Sequence, residues 1–226
     1  MKILAISDIH GAEENLDKLD SQFKEADIVL CAGDFSKFGD EETGLPVLLH
    51  LCKKHDSIFS VIGNCDNEQL LGDLEDHDIC VQKSFVNYEG LVFGGSGGGS
   101  KFTMTTPYER TDEELSSDLD ILRKEGDDSG EWNNLIVIMH NPPKDTKCDT
   151  ISGGIHVGSP LLRKFIEDFQ PLIVLTGHIH ESSGIDKIGK STVINPGALA
   201  EGKYAWLEIE KKDSLWSVKS AELKSL

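Results

Sequence analysis

Basic side chains are scarce in this chain: 22 lysines and arginines stand against 40 aspartates and glutamates, a formal charge of −18 over 226 residues. Long nucleic acid is bound through clustered positive charge, and so is an anionic membrane surface, so neither is expected as a partner. Apolar runs are short, and none approaches the roughly 20 residues of a membrane span. The opening MKILAISDIHG turns acidic before it reaches the length of a signal peptide's apolar region, which leads to the expectation of a cytoplasmic protein. The five cysteines (31, 52, 65, 80 and 148) are odd in number, scattered and without a CxxC pair. That excludes a disulfide framework and a cysteine zinc cluster. Repeats and linkers are also missing, and one domain over residues 1–226 is expected.

What is present is a globular composition, 38% hydrophobic and 27% charged, with a recurring local pattern. The clearest instance is Leu172–Glu181, LIVLTGHIHE. A short β-branched run predicts a buried strand, and His178 and His180 follow where it ends. In an extended segment residues two apart point to one side, so both imidazoles can serve one metal. Ile3–Ser7 runs into Asp8-Ile9-His10, Ile28–Ala32 into Gly33-Asp34, Ser57–Ile62 into Gly63-Asn64-Cys65-Asp66, and Leu135–Met139 into His140.

Between the first three strands, helices are expected over Ala12–Lys24 and Glu41–Lys54, the second delayed by Gly44 and Pro46. Asp8, Asp34 and Asn64 are spaced 26 and 30 residues apart, the length of βαβ units with parallel strands. Further helices are predicted at Asn67–Leu74, at Thr111–Lys124 behind a capping box with Glu114, and at Ser159–Phe169 with Pro160 in its first turn. A hairpin is expected to turn at Glu89-Gly90, and Glu125–Glu131 reads as an acidic loop. Gly184–Ile188, Ser191–Asn195, Lys203–Ile209 and Ser214–Ala221 read as one run of antiparallel strands. The stretch Gly94–Lys101, GGSGGGSK, lacks the glycine before the lysine and the Ser/Thr after it that a Walker loop needs. It reads as a mobile surface or active-site loop.

Each strand end has a bland reading as a turn, but five in this order are hard to explain so. In α/β folds ligands bind beyond the carboxyl ends of strands, so Asp8, His10, Asp34, Asn64, His140, His178 and His180 can meet. Carboxylates, imidazoles and one amide oxygen suit two cations of the manganese, iron, cobalt or zinc type better than calcium. One carboxylate would bridge the pair.

The pattern D-x-H, G-D, G-N-C-D, H and G-H-x-H resembles that of the calcineurin-like metallophosphoesterases over residues 3 to about 197. It looks closest to the small bacterial and archaeal Icc-related phosphoesterases, through Asn141–Thr146, Ile155–Ser159, Gly177–Glu181 and Ile194–Gly197. The resemblance implies an α/β fold, a four-layer αββα sandwich of two mixed β-sheets flanked by helices. It implies one ion on Asp8, His10 and His180, a second on Asn64, His140 and His178, and Asp34 between them. Manganese is the first choice, with iron, zinc, cobalt or nickel as alternatives. The implied reaction is hydrolysis of a phosphodiester in a small soluble substrate, by a hydroxide shared between the ions. A phosphomonoesterase, a protein phosphatase and a non-catalytic scaffold of the same fold are the other readings; a scaffold predicts eroded ligands, and all seven are intact.

Three further residues belong to the candidate site. Asp66 would hold a neighbouring group in place. Cys65 stands where many family members have a histidine, and a thiol carries no positive charge to replace an imidazolium. His156 is the candidate for that missing acid. Asn195-Pro196-Gly197 would shape a turn beneath the metals, while Ser96, Lys144, Thr146 and Lys147 are candidate substrate contacts.

Overall fold

The computed structural model describes residues 1–102, 104–125 and 132–226. In chain order, β1 (Lys2–Ile6) leads through α1 (Glu13–Lys18) and α2 (Asp20–Glu25) to β2 (Ile28–Cys31), then through α3 (Gly44–Cys52) to β3 (Ile58–Ser60). After α4 (Gln69–Asp76) come β4 (Val86–Tyr88), β5 (Leu91–Ser96), the short pair β6 (Gly99–Ser100) and β7 (Glu109–Arg110), α5 (Asp112–Ser117) and α6 (Asp120–Glu125). The second half holds β8 (Leu135–Met139), the small hairpin β9 (Thr150–Ile151) and β10 (Ile155–His156), α7 (Pro160–Phe169) and β11 (Ile173–Thr176). Strands β12 (Gly184–Ile188), β13 (Ser191–Asn195), β14 (Lys203–Lys212) and β15 (Leu215–Ser225) complete the chain.

These elements build two mixed sheets, ordered β15-β14-β1-β2-β3 and β12-β13-β11-β8-β5-β4. The apolar runs lack alternation because both faces of their strands are covered. Along β1, Ile3 and Ala5 point into the core between the sheets, whereas Leu4 and Ile6 meet the buried faces of α1 to α4. Strand β8 divides the same way: Ile136 and Ile138 face the first sheet, and Leu135, Val137 and Met139 pack on Leu115, Leu122, Leu162 and Phe165 of α5 to α7. Phe59 and Phe93 stack across the interface at 3.9 Å between ring centroids. The result is the four-layer αββα sandwich that the motif pattern implied.

Strands β1, β2 and β3 are parallel, as the spacing predicted. The expected helix over 12–24 is broken at Leu19, yet Leu16, Leu19 and Phe23 all remain buried. Gly44 and Pro46 do delay the next helix, since a 3-10 turn over Glu41–Thr43 precedes α3. The capping box at Thr111 and Glu114 is formed, and Ser159 caps α7 ahead of Pro160. Of the acidic loop Glu125–Glu131, Glu125 closes α6 and the rest lies outside the described residues.

One expectation is corrected. The last four strands are two hairpins in different sheets, not one antiparallel run: β13 joins β11 in parallel, while β14 crosses over to pair antiparallel with β1. The crossover gives β1, which has β2 on one side, a partner for its other edge. Without it the backbone groups of that buried strand would be orphaned.

The glycine stretch is not a mobile surface segment either. Residues 94–99 are buried, Gly98 N–H donates to Ile62 O at 3.0 Å, and Ser96 Oγ donates to Leu115 O at 2.8 Å. Next to it, Arg110 grips the fully buried Asp118 carboxylate at 2.5 and 2.8 Å, and Gln82 Nε2 donates to the same group. Removing one partner of a buried ion pair leaves the other charge uncompensated. Asp118→Ala is therefore expected to lower stability by about 3 kcal/mol or more, read as a shift in the urea midpoint; a shift near zero would show that water reaches Arg110 freely.

Candidate metal centre

Five strands from both sheets deliver their carboxyl ends to one seam of the sandwich. The loops after β1 and β2 are zipped together by Asp8 N–H to Gly33 O, His10 N–H to Asp34 O and Gly11 N–H to Phe35 O, each at 2.9 Å. From the other sheet, Gly177 N–H donates to His140 O at 3.1 Å, and His178 N–H donates to the Asp8 carboxylate at 3.2 Å. Asp8, His10, Asp34 and His178 all have positive φ, between 45° and 67°, in the sparsely populated left-handed region. Such backbone persists only where surrounding contacts over-determine it, and it concentrates at functional sites.

The seven predicted ligands meet there, in two clusters. His10 and His180 have ring centroids 5.1 Å apart and tilted by 55°, with Asp8 Oδ1 3.2 Å from His180 Nε2. His140 and His178 repeat the arrangement at 5.2 Å and 56°, with Asn64 Oδ1 2.9 Å from His140 Nε2. Asp34 Oδ2 lies between the clusters, 3.6 Å from His10 Nε2 and 3.5 Å from His140 Nε2.

Tautomers follow from the outer contacts. Carbonyls only accept, so His10 Nδ1–H donates to Ser36 O (2.9 Å) and His140 Nδ1–H to Ala32 O (2.6 Å). Their Nε2 atoms then carry lone pairs, as metal ligation requires. His10 Nε2 faces His180 Nε2 at 3.2 Å. The His140 Nε2 lone pair faces Asn64 Oδ1 at 2.9 Å, and an acceptor facing an acceptor at that distance makes a poor hydrogen bond and a good ligand for a cation. The donor set therefore fits divalent metal.

Charge states agree with this. Burial, with the nearby His140, pushes the His178 imidazole down to about 3, so it is neutral. Burial raises Asp34. Burial also acts to raise Asp8, but the hydrogen bond from His180 helps to hold it below the usual range. The same hydrogen bond, donated to Asp8, raises His180, so a cation taking that nitrogen competes with a proton.

Asp66 is fully buried and its carboxylate accepts four bonds: Asp34 N–H (3.0 Å), Gly63 N–H (2.8 Å), Ser36 N–H (2.9 Å) and Ser36 Oγ–H (2.8 Å). It thereby pins the loop of Asp34 to that of Asn64. Gly63 is needed at this junction, because a Cβ there would overlap Asp34 Oδ1. Cys65 contributes its backbone N–H, which donates to Asp34 Oδ1 at 2.8 Å and leaves Oδ2 turned toward the histidines. Its thiol is buried, and burial together with the Asp34 charge pushes it far above neutrality. Asn195 ties down the histidine loop, Nδ2 donating to Ile179 O at 2.9 Å while Oδ1 accepts from Gly197 N–H.

A cleft of about 340 Å³ opens over the cluster. Its wall includes His10, Asp34, Asn64, Cys65, His178 and His180, and also Lys37, Phe38 and Thr106, which sequence reasoning did not single out. For Lys37 and Phe38 the available signal was their position in the loop that directly follows Asp34. His156 does not line the cleft. Its Nδ1–H donates to Asp149 at 2.7 Å on the β9–β10 hairpin, and that bond raises its pKa. Neither do Ser96, Lys144, Thr146 and Lys147; the Thr146 hydroxyl is buried against Pro143 O and Asp149.

Comparison with known proteins agrees with the geometry. The sequence profile described as calcineurin-like phosphoesterase matches residues 1–182. The chain belongs to that family. An uncharacterized protein of Methanocaldococcus jannaschii is 36% identical over 203 residues, covering 87% of this chain and 88% of its own. Among solved structures, the protein TT1561 of Thermus thermophilus superposes with a TM-score of 0.73 at 20% identity, covering 99% of this chain and 98% of that one. A putative 5'-nucleotidase from Staphylococcus aureus gives 0.65 at 15% identity, over 99% of this chain and 54% of its own. At those identities the two structures speak for the fold. The family hydrolyses phosphate esters and binds divalent metals, which this donor set can hold.

Two outcomes follow. Asp66→Ala is expected to weaken divalent-cation affinity by about 10- to 100-fold; calorimetric titration giving wild-type affinity would mean that Asp66 does not position Asp34. The second concerns the rim loop, where the Glu109 carboxylate accepts the backbone N–H groups of Phe102, Met104, Thr105 and Thr106. Partial burial acts to raise Glu109, but these bonds outweigh it and bring it down from 4.5 to about 2. A depressed carboxylate contributes stability above its unfolded pKa and loses it as pH falls toward the folded one. The melting-temperature gap between wild type and Glu109→Gln should therefore be full above pH 4.5 and narrow toward about pH 2; a gap independent of pH would contradict this account.

Proposed function

We propose that this protein hydrolyses a phosphodiester bond of a small soluble substrate at a centre of two divalent cations, manganese first among them. Asp8, His10 and His180 would hold one ion, Asn64, His140 and His178 the other, and Asp34 would bridge. The observation that carries this reading is the position of Asp34 Oδ2, 3.6 and 3.5 Å from one imidazole nitrogen of each cluster. When bound, the ions supply Lewis acidity toward the phosphoryl oxygens and an acidified water as nucleophile.

The chain's own residues orient and screen. Cys65 N–H and the Asp66 carboxylate fix Asp34, the Ser36 and Ala32 carbonyls fix two ligand tautomers, and Asn195 holds the loop of His178 and His180. Cys65 brings no positive charge toward the phosphate. Lys37 is the cationic side chain on the cleft wall, and among the described residues it makes no ion pair. Beside the two ions, Lys37 is then the protein's own positive charge at the cleft, and a diester monoanion asks for less of it than a monoester, which carries a charge near −2 above its second pKa of about 6.

Metal-stripped protein reloaded with manganese should turn over a nitrophenyl phosphodiester with higher kcat/KM than the monoester, and chelation should abolish turnover. Asp34→Ala should lose at least about 10²–10³-fold, the scale of removing one electrostatic stabiliser. Preference for the monoester would move the assignment to a phosphomonoesterase, and no turnover of either by metal-loaded protein would favour a scaffold.

A further inference from the structure

Lys37 and Phe38 sit side by side on the cleft and neither is used by the ligand set. The turn that carries them is braced: Lys37 N–H donates to Thr43 Oγ1 at 2.8 Å, Thr43 Oγ1 donates to Asp40 O at 2.6 Å, and Asp40 N–H donates to Lys37 O at 3.0 Å. Phe35, three residues earlier, is fully buried, whereas Phe38 is 67% exposed. The turn therefore supplies one aromatic ring to the core and presents the other to solvent at the mouth of the site. The Lys37 chain lies over Gly11, immediately after His10; a Cβ on Gly11 would stand 2.6 Å from Lys37 Cε. That brings the carbon bearing the ammonium beside the first metal loop.

A single exposed ring needs no explanation by itself. Here it lines the same 340 Å³ space as five candidate metal ligands, Cys65 and a lysine that makes no ion pair among the described residues, at the small end of ligand cavities. A phosphate held on the metals would have Lys37 for its charge and the Phe38 face for the organic group it esterifies. Lysine acts on phosphate as a point charge, and an aromatic face favours flat π-systems. We propose that Lys37 and Phe38 form a selectivity rim, so that the preferred substrates are small phosphate esters carrying a flat aromatic group. This rests on the phosphoesterase reading above.

Non-hydrolysable phosphonates separate the two. With manganese-loaded protein, calorimetry should give phenylphosphonate a Kd about tenfold tighter than methylphosphonate, the lower part of the range for stacking on an aromatic side chain. Cyclohexylphosphonate, equally apolar but not flat, should fall well short of phenyl. The phenyl-to-methyl ratio should collapse toward one in Phe38→Ala and be kept in Phe38→Trp, while Lys37→Met weakens all three ligands by a common factor. Phe38 is exposed, so these variants should fold. An unchanged ratio in Phe38→Ala, or cyclohexyl binding as tightly as phenyl, overturns the rim while diester hydrolysis persists. Absence of both hydrolysis and phosphonate binding overturns the phosphoesterase reading itself.

Discussion

The constraint on which this structure depends is the burial of hydrogen-bond acceptors face to face. The imidazole lone pairs of His10 and His140, two carboxylates and an amide oxygen converge at the seam of the sandwich, with contacts of 2.9–3.9 Å. Polar groups taken out of water without donors are unfavourable, and like partners repel. The cluster cannot hold itself together. Its stability has to be supplied by the core between the sheets and by whatever cation the lone pairs take.

The scaffold meets that demand by satisfying the back of each ligand. Ser36 O and Ala32 O accept from the Nδ1–H groups of His10 and His140, Cys65 N–H occupies one oxygen of Asp34, and His178 N–H leans on Asp8. Asp66 and Asn195 are the buckles, one joining the loops of the first sheet and the other closing the histidine loop of the second. Four ligand positions in the left-handed region show what this imposes on the backbone. Strain of that kind survives because parallel strands packed on both faces leave the loop ends little freedom to relax.

Around this rigid centre the cleft wall is built differently. The Lys37–Asp40 turn and the loop carrying Thr106 are held by side-chain oxygens of Thr43 and Glu109. Such loops position groups without joining the core, and a rigid scaffold beneath them holds those groups in place.

The sequence by itself determined the strands of the two large sheets, their parallel order in the first half and the seven side chains expected to meet, but not the short pairs β6–β7 and β9–β10. Each ligand directly follows a strand whose apolar run is buried on both faces, so local composition fixes where the chain turns and what it presents there. Cys65 as a residue lacking an imidazole's charge was likewise legible, because it is a property of the side chain. Tertiary structure alone decided the rest. That β13 and β14 lie in different sheets depends on which edge lacks a partner, and both hairpins look alike in one dimension. That the glycine stretch is buried, that His156 turns to Asp149 away from the cleft, and that Lys37 and Phe38 line it all depend on contacts between residues far apart in the chain. Periodicity records which face of an element is buried; it carries no record of which distant loop closes over it.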